Sequence, residues 1–153
     1  MKAGEIIRVI AFTFLGAGLM FFLQPWIYQN GMLRISDVSV NAWLSDDYTP
    51  GATIVFFISV FSTVLWCVMA NKAEIRTAAD SFRWQVVWWI LLLLPILSIC
   101  GALYFFNSSQ DALLSLTGLF IFDAIFLLFW LPTVTSSPKD LKYILPGSFL
   151  LRR

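Results

Sequence analysis

The chain contains no histidine, only two cysteines and only 12% charged residues among its 153 positions. Without histidine it lacks the commonest general base and metal ligand. Cys67 and Cys100 fall near opposite ends of two different apolar runs, so we expect no disulfide, and two cysteines alone are too few for a zinc or iron–sulfur site. A soluble domain carries about 25% charged residues. The composition therefore predicts a membrane protein with no cofactor, no metal and no nucleic acid partner.

Apolar residues, in contrast, make up 59% of the chain. A helix needs about 20 consecutive apolar residues to cross a bilayer. Three runs carry no formal charge, and a fourth is interrupted only by Asp123. They predict one domain of the all-α class, an integral membrane four-helix bundle. We place its spans at about 7–28, 51–70, 86–106 and 112–132, with a tail at 133–153.

The basic residues are distributed very unevenly between the loops. If the N-terminus is cytoplasmic, nine of the ten Lys and Arg residues lie inside and only Arg34 lies outside. The nine are Lys2, Arg8, Lys72, Arg76, Arg83, Lys139, Lys142, Arg152 and Arg153. The positive-inside rule then predicts that both termini are cytoplasmic. We expect the first span to be retained rather than cleaved as a signal peptide, because its apolar run is too long for a signal core.

Most of the seven tryptophans fall near the predicted ends of the spans. Amphipathic rings prefer the headgroup level, so we expect anchoring of all seven, with a pigment or quinone pocket as an alternative for the inner group. The candidate contacts to the membrane or to a partner are Trp84, Trp88, Trp89, Arg152 and Arg153.

The outer segment 29–50 fits neither a helical nor an alternating pattern. We expect it to lie at the outer interface, anchored by Trp43. Thr49 and Pro50 match an N-cap followed by a first helical residue. The second span is therefore predicted to begin there.

The inner loop 71–85 and the tail predict short amphipathic cytoplasmic segments. Three apolar residues of the loop share one helical face at i, i+4 and i+7, namely Ile75, Ala79 and Phe82. Such a helix suits either the membrane surface or a docking partner. In the tail, Ser137 and Pro138 match a short helix start, and Gly147 follows a breaking Pro146.

Asp123 is the one formal charge deep inside a predicted span. It lies about 17 Å along the helix from Ala112, and ionisation there costs about 2.5–3.5 kcal/mol. No basic residue lies at a matching depth, so desolvation favours the neutral acid. The expected hydrogen-bond partners are Ser62 and Ser98, with Thr63 behind them. Pro95 is expected to free a carbonyl that could receive Asp123 or Ser62.

The last fifth of the chain carries a resemblance to a known group. Its residues are Phe122-Asp123-Ala124, Phe129-Trp130-Leu131-Pro132-Thr133, Pro146-Gly147-Ser148 and Leu151-Arg152-Arg153. This stretch resembles the C-terminal part of small uncharacterised four-pass membrane proteins of cyanobacteria. The resemblance implies a bacterial plasma or thylakoid membrane and implies no activity.

Two functions follow from these residues. The first is a non-enzymatic accessory or assembly subunit, in which Asp123 joins helices within a larger membrane complex or a homo-oligomer. The alternative is a small oligomeric transporter or ion-coupled carrier, in which Asp123 titrates. An intramembrane enzyme is disfavoured, because general acid–base catalysis would depend on a single carboxyl group.

The predicted topology can be tested with reporter fusions. A reporter after residue 40 should lie outside and one after residue 80 should lie in the cytoplasm, because one span separates them. Activity of both reporters in the same compartment would contradict the four-span topology.

Overall fold

The computed structural model of the protein describes residues 3–33, 35, 39–106, 110–142 and 144–148. These residues form helices and connecting turns and contain no strand. The helices are α1 (Ala3–Gln29), α2 (Val40–Ala70), α3 (Ala78–Phe105), α4 (110–136) and the short α5 (Lys139–Lys142). The first four are long and apolar enough to cross a membrane. The prediction of an all-helical protein with four long apolar helices is confirmed, although the helices extend beyond the predicted limits of the spans.

The four long helices pack antiparallel to their main partners. Along α1 and α4, Arg8 donates to the backbone carbonyl of Thr135, and Tyr28 pairs with Ser115 at the other end. Along α2 and α3, Trp66 contacts Trp84, and Trp43 contacts Phe106. The start of α1 and the end of α4 therefore lie at one end of the bundle, which we call the terminal end.

Three stretches of the long helices are wound as π-helix, with backbone hydrogen bonds from i to i−5. They are Leu19–Leu23, Leu44–Tyr48 and Ile121–Trp130. Each ends two residues before a proline, namely Pro25, Pro50 and Pro132. A proline within a helix lacks an N–H and clashes with the carbonyl of residue i−4. Wider winding before the proline accommodates this clash without ending the helix.

Prolines also leave backbone carbonyls without a helical donor, and hydroxyl groups of α2 bond to two of these carbonyls. Pro95 cannot donate to Leu91, and the Ser62 hydroxyl donates to the Leu91 oxygen at 2.6 Å. A third hydroxyl of α2, that of Thr63, donates at 2.6 Å to the Leu128 oxygen within the π-helical stretch of α4. The predicted release of a carbonyl by Pro95 and its capture by Ser62 are confirmed.

The second such carbonyl belongs to Met20 in α1. The Gln24 N–H, which would reach it in an α-helix, donates to Leu19 instead, and Pro25 has no N–H to offer. The Tyr48 hydroxyl lies 2.7 Å from the Met20 oxygen. Tyr48, Ser62 and Thr63 thus connect α2 to α1, α3 and α4.

The predicted start of the second span at Thr49 and Pro50 is wrong. The helix begins at Val40 and continues through the π-helical turn, and the Thr49 hydroxyl donates within the helix to the Leu44 oxygen at 2.7 Å. Trp43 is not an interfacial anchor either, because its side chain is fully buried. Trp43, Leu44 and Tyr48 therefore belong to the core rather than to an interfacial loop.

The amphipathic helix predicted for the inner loop is also wrong. Residues 71–77 are not helical, and Ile75 lies among them. Thr77 begins α3 with a capping box, in which its hydroxyl accepts from the Asp80 N–H and the Asp80 carboxylate accepts from the Thr77 N–H. Ala79 and Phe82 therefore belong to the first turns of α3.

The described residues of the tail fold back over the terminal end of the bundle. The predicted short helix after Pro138 is present as α5, and Leu141 and Leu145 are buried beside α3 and α4. Gly147 has a positive φ of 78°, and a Cβ there would lie 2.8 Å from the Trp130 ring. A residue without a side chain is needed at this turn.

The pairing of Ser62 with the carbonyl freed by Pro95 predicts a specific energetic coupling. Ser62→Ala should lower the free energy of unfolding in detergent by about 1 kcal/mol, because it leaves a buried carbonyl without a donor. In a Pro95→Ala background the helix supplies its own N–H, so the same substitution should cost much less. Ser59→Ala is the matched control, since the buried Ser59 hydroxyl bonds only within its own helix, to Val55. Equal costs of Ser62→Ala in both backgrounds would contradict the pairing.

Candidate functional site

A buried polar site lies where the three π-helical stretches meet. Asp123 stands in the stretch of α4 and is 1% exposed. Gln24 follows the stretch of α1, and Tyr48 ends that of α2. Both are also buried. Irregular winding in three helices thus brings a carboxyl, an amide and a phenol together in an apolar interior.

The three side chains form a continuous hydrogen-bonded chain. The Gln24 Nε2 donates to Oδ2 of Asp123. The Tyr48 hydroxyl lies 2.6 Å from Oε1 of Gln24 and 2.7 Å from the Met20 carbonyl oxygen. The chain therefore links the carboxyl of α4 to the backbone of α1 through one side chain from α1 and one from α2.

Aromatic rings enclose this chain on the side away from the terminal end. Trp43 packs edge-on against Tyr28 with ring centroids 5.1 Å apart and lies 5.6 Å from Tyr48. Phe120 packs at 6.0 Å from Tyr48. The rings exclude water from the chain, which strengthens its hydrogen bonds and makes any unpaired polar atom costly.

Three other polar groups lie in or beside the same aromatic cluster. The Tyr28 hydroxyl and the Ser115 hydroxyl are 3.0 Å apart, which pairs α1 with α4 outside the Asp123 chain. The indole Nε1 of Trp43 is buried and has no hydrogen-bond partner among the described residues.

The hydrogen-bond partners predicted for Asp123 were wrong. The hydroxyl of Ser62 donates to Leu91, that of Ser98 donates to Pro95 within its own helix at 2.8 Å, and that of Thr63 donates to Leu128. All three side chains are buried, but each hydroxyl donates to a backbone carbonyl rather than to Asp123. Depth in the membrane does not determine which way a side chain faces around its helix.

Gln24 and Tyr48 are the site residues that the sequence prediction missed. Gln24 is an amide within an otherwise apolar span and directly precedes Pro25, which was a usable signal for a buried polar contact. Tyr48 falls in the segment predicted to be a loop, because Thr49 and Pro50 match a helix start. Its burial follows from the extension of α2 back to Val40.

The tryptophans predicted to contact the membrane divide into two groups. The prediction that Trp88 contacts the membrane or a partner is wrong, because its side chain is 2% exposed and its indole donates to the Thr133 hydroxyl at 3.1 Å. Trp66 is buried as well and donates to Ser137 at 2.9 Å. Trp89 is 51% exposed, and Trp84 is half-buried. Contacts of Trp84 and Trp89 with lipid or a partner stay predictions.

The remaining predicted contacts, Arg152 and Arg153, lie outside the described residues, as does the topogenic Arg34. Among the residues that the structure describes, no three His, Cys, Asp or Glu side chains are grouped as a metal site would require. The chemistry that the buried chain itself offers is hydrogen bonding and the binding or release of one proton.

Comparison with protein-family models, with curated proteins and with solved structures gives no match to this chain. The resemblance to four-pass proteins of cyanobacteria therefore stays a prediction.

The buried chain predicts that Gln24 is more important for stability than its position in an apolar span suggests. Gln24→Leu should lower the free energy of unfolding in detergent by about 1–2 kcal/mol, because the buried Asp123 carboxyl group loses its hydrogen-bond partner. Gln29→Leu is the matched control on the same helix, since Gln29 is exposed. A similar change of thermal unfolding midpoint for both variants would contradict the structural role of Gln24.

Proposed function

We propose that this chain is a non-enzymatic integral membrane protein, an accessory or assembly subunit that packs against a larger membrane complex. The observation that carries the proposal is the enclosure of its intramembrane carboxyl group. Asp123 is 1% exposed and bonded to Gln24. A carboxyl held in this way joins α1, α2 and α4 and is not open to a substrate.

A groove of about 290 Å³ between α2 and α3 supports a role in packing against a partner helix. On α3 its lining residues are small and lie on one helical face, namely Ser98, Gly101 and Ala102. Small residues let the backbone of another membrane helix approach closely. We propose that the groove receives a transmembrane helix of the partner.

The charge at the rim of the groove indicates the chemistry of that helix. Asp46 and Asp47 lie there, at the end of the bundle opposite the terminal end. Neither forms an ion pair with another described residue. The proposed partner helix therefore carries Lys or Arg near the corresponding end, with the aliphatic part of that side chain along the apolar groove.

The proposed location is a bacterial plasma or thylakoid membrane with both termini in the cytoplasm. The uneven distribution of Lys and Arg supports this orientation. The position of the start of α1 beside the end of α4 is consistent with termini on one side.

The carrier alternative has less support. A carrier needs its titrating group to reach water from each side in turn. The chain from Asp123 runs between helices to the Met20 backbone and is enclosed by aromatic rings. This geometry favours a structural role.

The assembly proposal predicts different effects for two exposed glycines. At both Gly101 and Gly118 an added Cβ would meet no atom within 4 Å, so neither substitution should unfold the protein. Gly101→Leu should fill the groove and weaken association at least about tenfold, a cost of about 1.4 kcal/mol. Gly118→Leu, outside the groove, should leave association unchanged. The measurement is the native size of the complex after mild detergent extraction from host membranes.

Two outcomes of that measurement would count against the proposal. The wild-type protein could run as a single protomer, or Gly101→Leu could remain in the large complex. A native mass that is a simple multiple of the protomer mass would identify a homo-oligomer instead.

A further inference from the structure

The hydrogen-bonded chain at Asp123 contains three contacts between polar atoms. They join Asp123 to Gln24, Gln24 to Tyr48, and Tyr48 to the Met20 carbonyl oxygen. The two O···O separations are 2.6 and 2.7 Å, distances at which each contact needs one proton between its atoms. Three contacts therefore need three donors.

The residues of the chain supply only two of these donors when Asp123 is ionised. The Gln24 amide bridges two neighbours and can donate to only one of them, while its oxygen faces the other. Tyr48 has a single hydroxyl proton but lies within reach of two acceptors, Gln24 and Met20. The Met20 carbonyl contributes no proton, so one of the three contacts has no proton between its two acceptor atoms.

A proton on Asp123 supplies the missing hydrogen-bond donor. The carboxyl then donates to the Gln24 oxygen, the Gln24 amide donates to the Tyr48 oxygen, and Tyr48 donates to the Met20 carbonyl. This requires the Gln24 amide to turn over, which exchanges two ends of nearly the same shape. With the carboxylate ionised, Gln24 donates to Asp123, Tyr48 donates to Gln24, and the Met20 carbonyl has no donor.

We propose that Asp123 is a proton-binding site whose bound proton completes the chain to the Met20 carbonyl, and that Gln24 reverses its orientation when the proton leaves for water. The ligand is a proton, and the group that responds is the backbone of the π-helical stretch of α1. The proton therefore changes how α1 is held by α2, a consequence beyond the role of helix–helix contact in the proposed function.

Among the described residues, no side chain outside this hydrogen-bonded chain donates to Asp123, Gln24 or the Met20 carbonyl. The titratable side chains nearest the chain are the phenols of Tyr48 from α2 and Tyr28 from α1, and Tyr28 is paired with Ser115. Between Arg83 and Tyr104, α3 carries no ionisable side chain except the exposed Cys100. The third donor of the hydrogen-bonded chain must therefore be the protonated carboxyl group of Asp123.

Infrared spectroscopy of the protein in proteoliposomes tests the inference directly. A protonated buried carboxyl group has its own C=O stretching band, which is assigned by its loss in Asp123→Asn. We expect this band in the wild-type protein near neutral pH. In Tyr48→Phe the contacts to Gln24 and Met20 disappear, and Gln24 is free to donate to the carboxylate. The pH at which the band is half lost should then fall by about 1 unit or more.

Tyr28→Phe is the matched control, because it removes a phenol from the same aromatic cluster but from outside the chain. It should leave the band and its midpoint unchanged. Absence of the band in the wild-type protein near neutral pH would overturn the proton site. Equal midpoints in the wild type and Tyr48→Phe, or equal shifts in both tyrosine variants, would overturn the coupling through Gln24.

A second readout needs no substitution at Tyr48. In protein with isotope-labelled glutamine, the Gln24 amide carbonyl band, assigned by its loss in Gln24→Leu, should shift with the same midpoint as the carboxyl band. A Gln24 band that does not respond to pH would overturn the reversal. Because these readouts are spectroscopic, failure of the proton site and failure of the assembly role are separate results.

Discussion

The structure depends on the need of backbone carbonyls freed by proline to find hydrogen-bond donors in a buried apolar interior. Water would satisfy such a carbonyl at an exposed surface, but an unpaired polar group in an apolar interior costs several kcal/mol. The carbonyls of Met20 and Leu91, and that of Leu128 in the π-helical stretch of α4, each face a hydroxyl of α2, at 2.6 to 2.7 Å. The helix that provides these donors is thereby fixed as the centre of the bundle.

The same need extends from the backbone to the carboxyl group of Asp123. Tyr48 has one proton, and the Met20 carbonyl competes for it with Gln24. If the Gln24 oxygen accepts this proton, the amide nitrogen of Gln24 faces Asp123. If the Met20 carbonyl accepts it, the Gln24 oxygen faces Asp123. A proline in α1 therefore acts on a carboxyl group in α4 through two side chains, because a dry interior leaves no water to complete an incomplete chain.

Sequence patterns predicted the parts of the fold that depend on composition alone. Four apolar runs predicted four spans, and Pro95 predicted a free carbonyl that Ser62 indeed reaches. The partners of Asp123 were not predictable from depth, because two residues at one depth can face opposite sides of their helices. Thr49 and Pro50 were misassigned for a related reason. The same pair begins a helix in one context and follows a π-helical turn in another, and burial of the preceding Trp43 and Tyr48 decides between them.

The separation of buried from exposed polar groups also bears on where this chain can recognise anything. Asp123 and Gln24 are bonded to each other behind aromatic rings, whereas Asp46 and Asp47 lie at the rim of an open groove lined by small residues. A buried carboxyl group within a hydrogen-bonded chain adds stability and can bind or release a proton. It cannot select a partner that never contacts it. Selection requires exposed groups of defined charge and shape. The groove between α2 and α3 has exposed groups of this kind, so in the proposed assembly role the recognition surface is separate from the buried site that joins the helices.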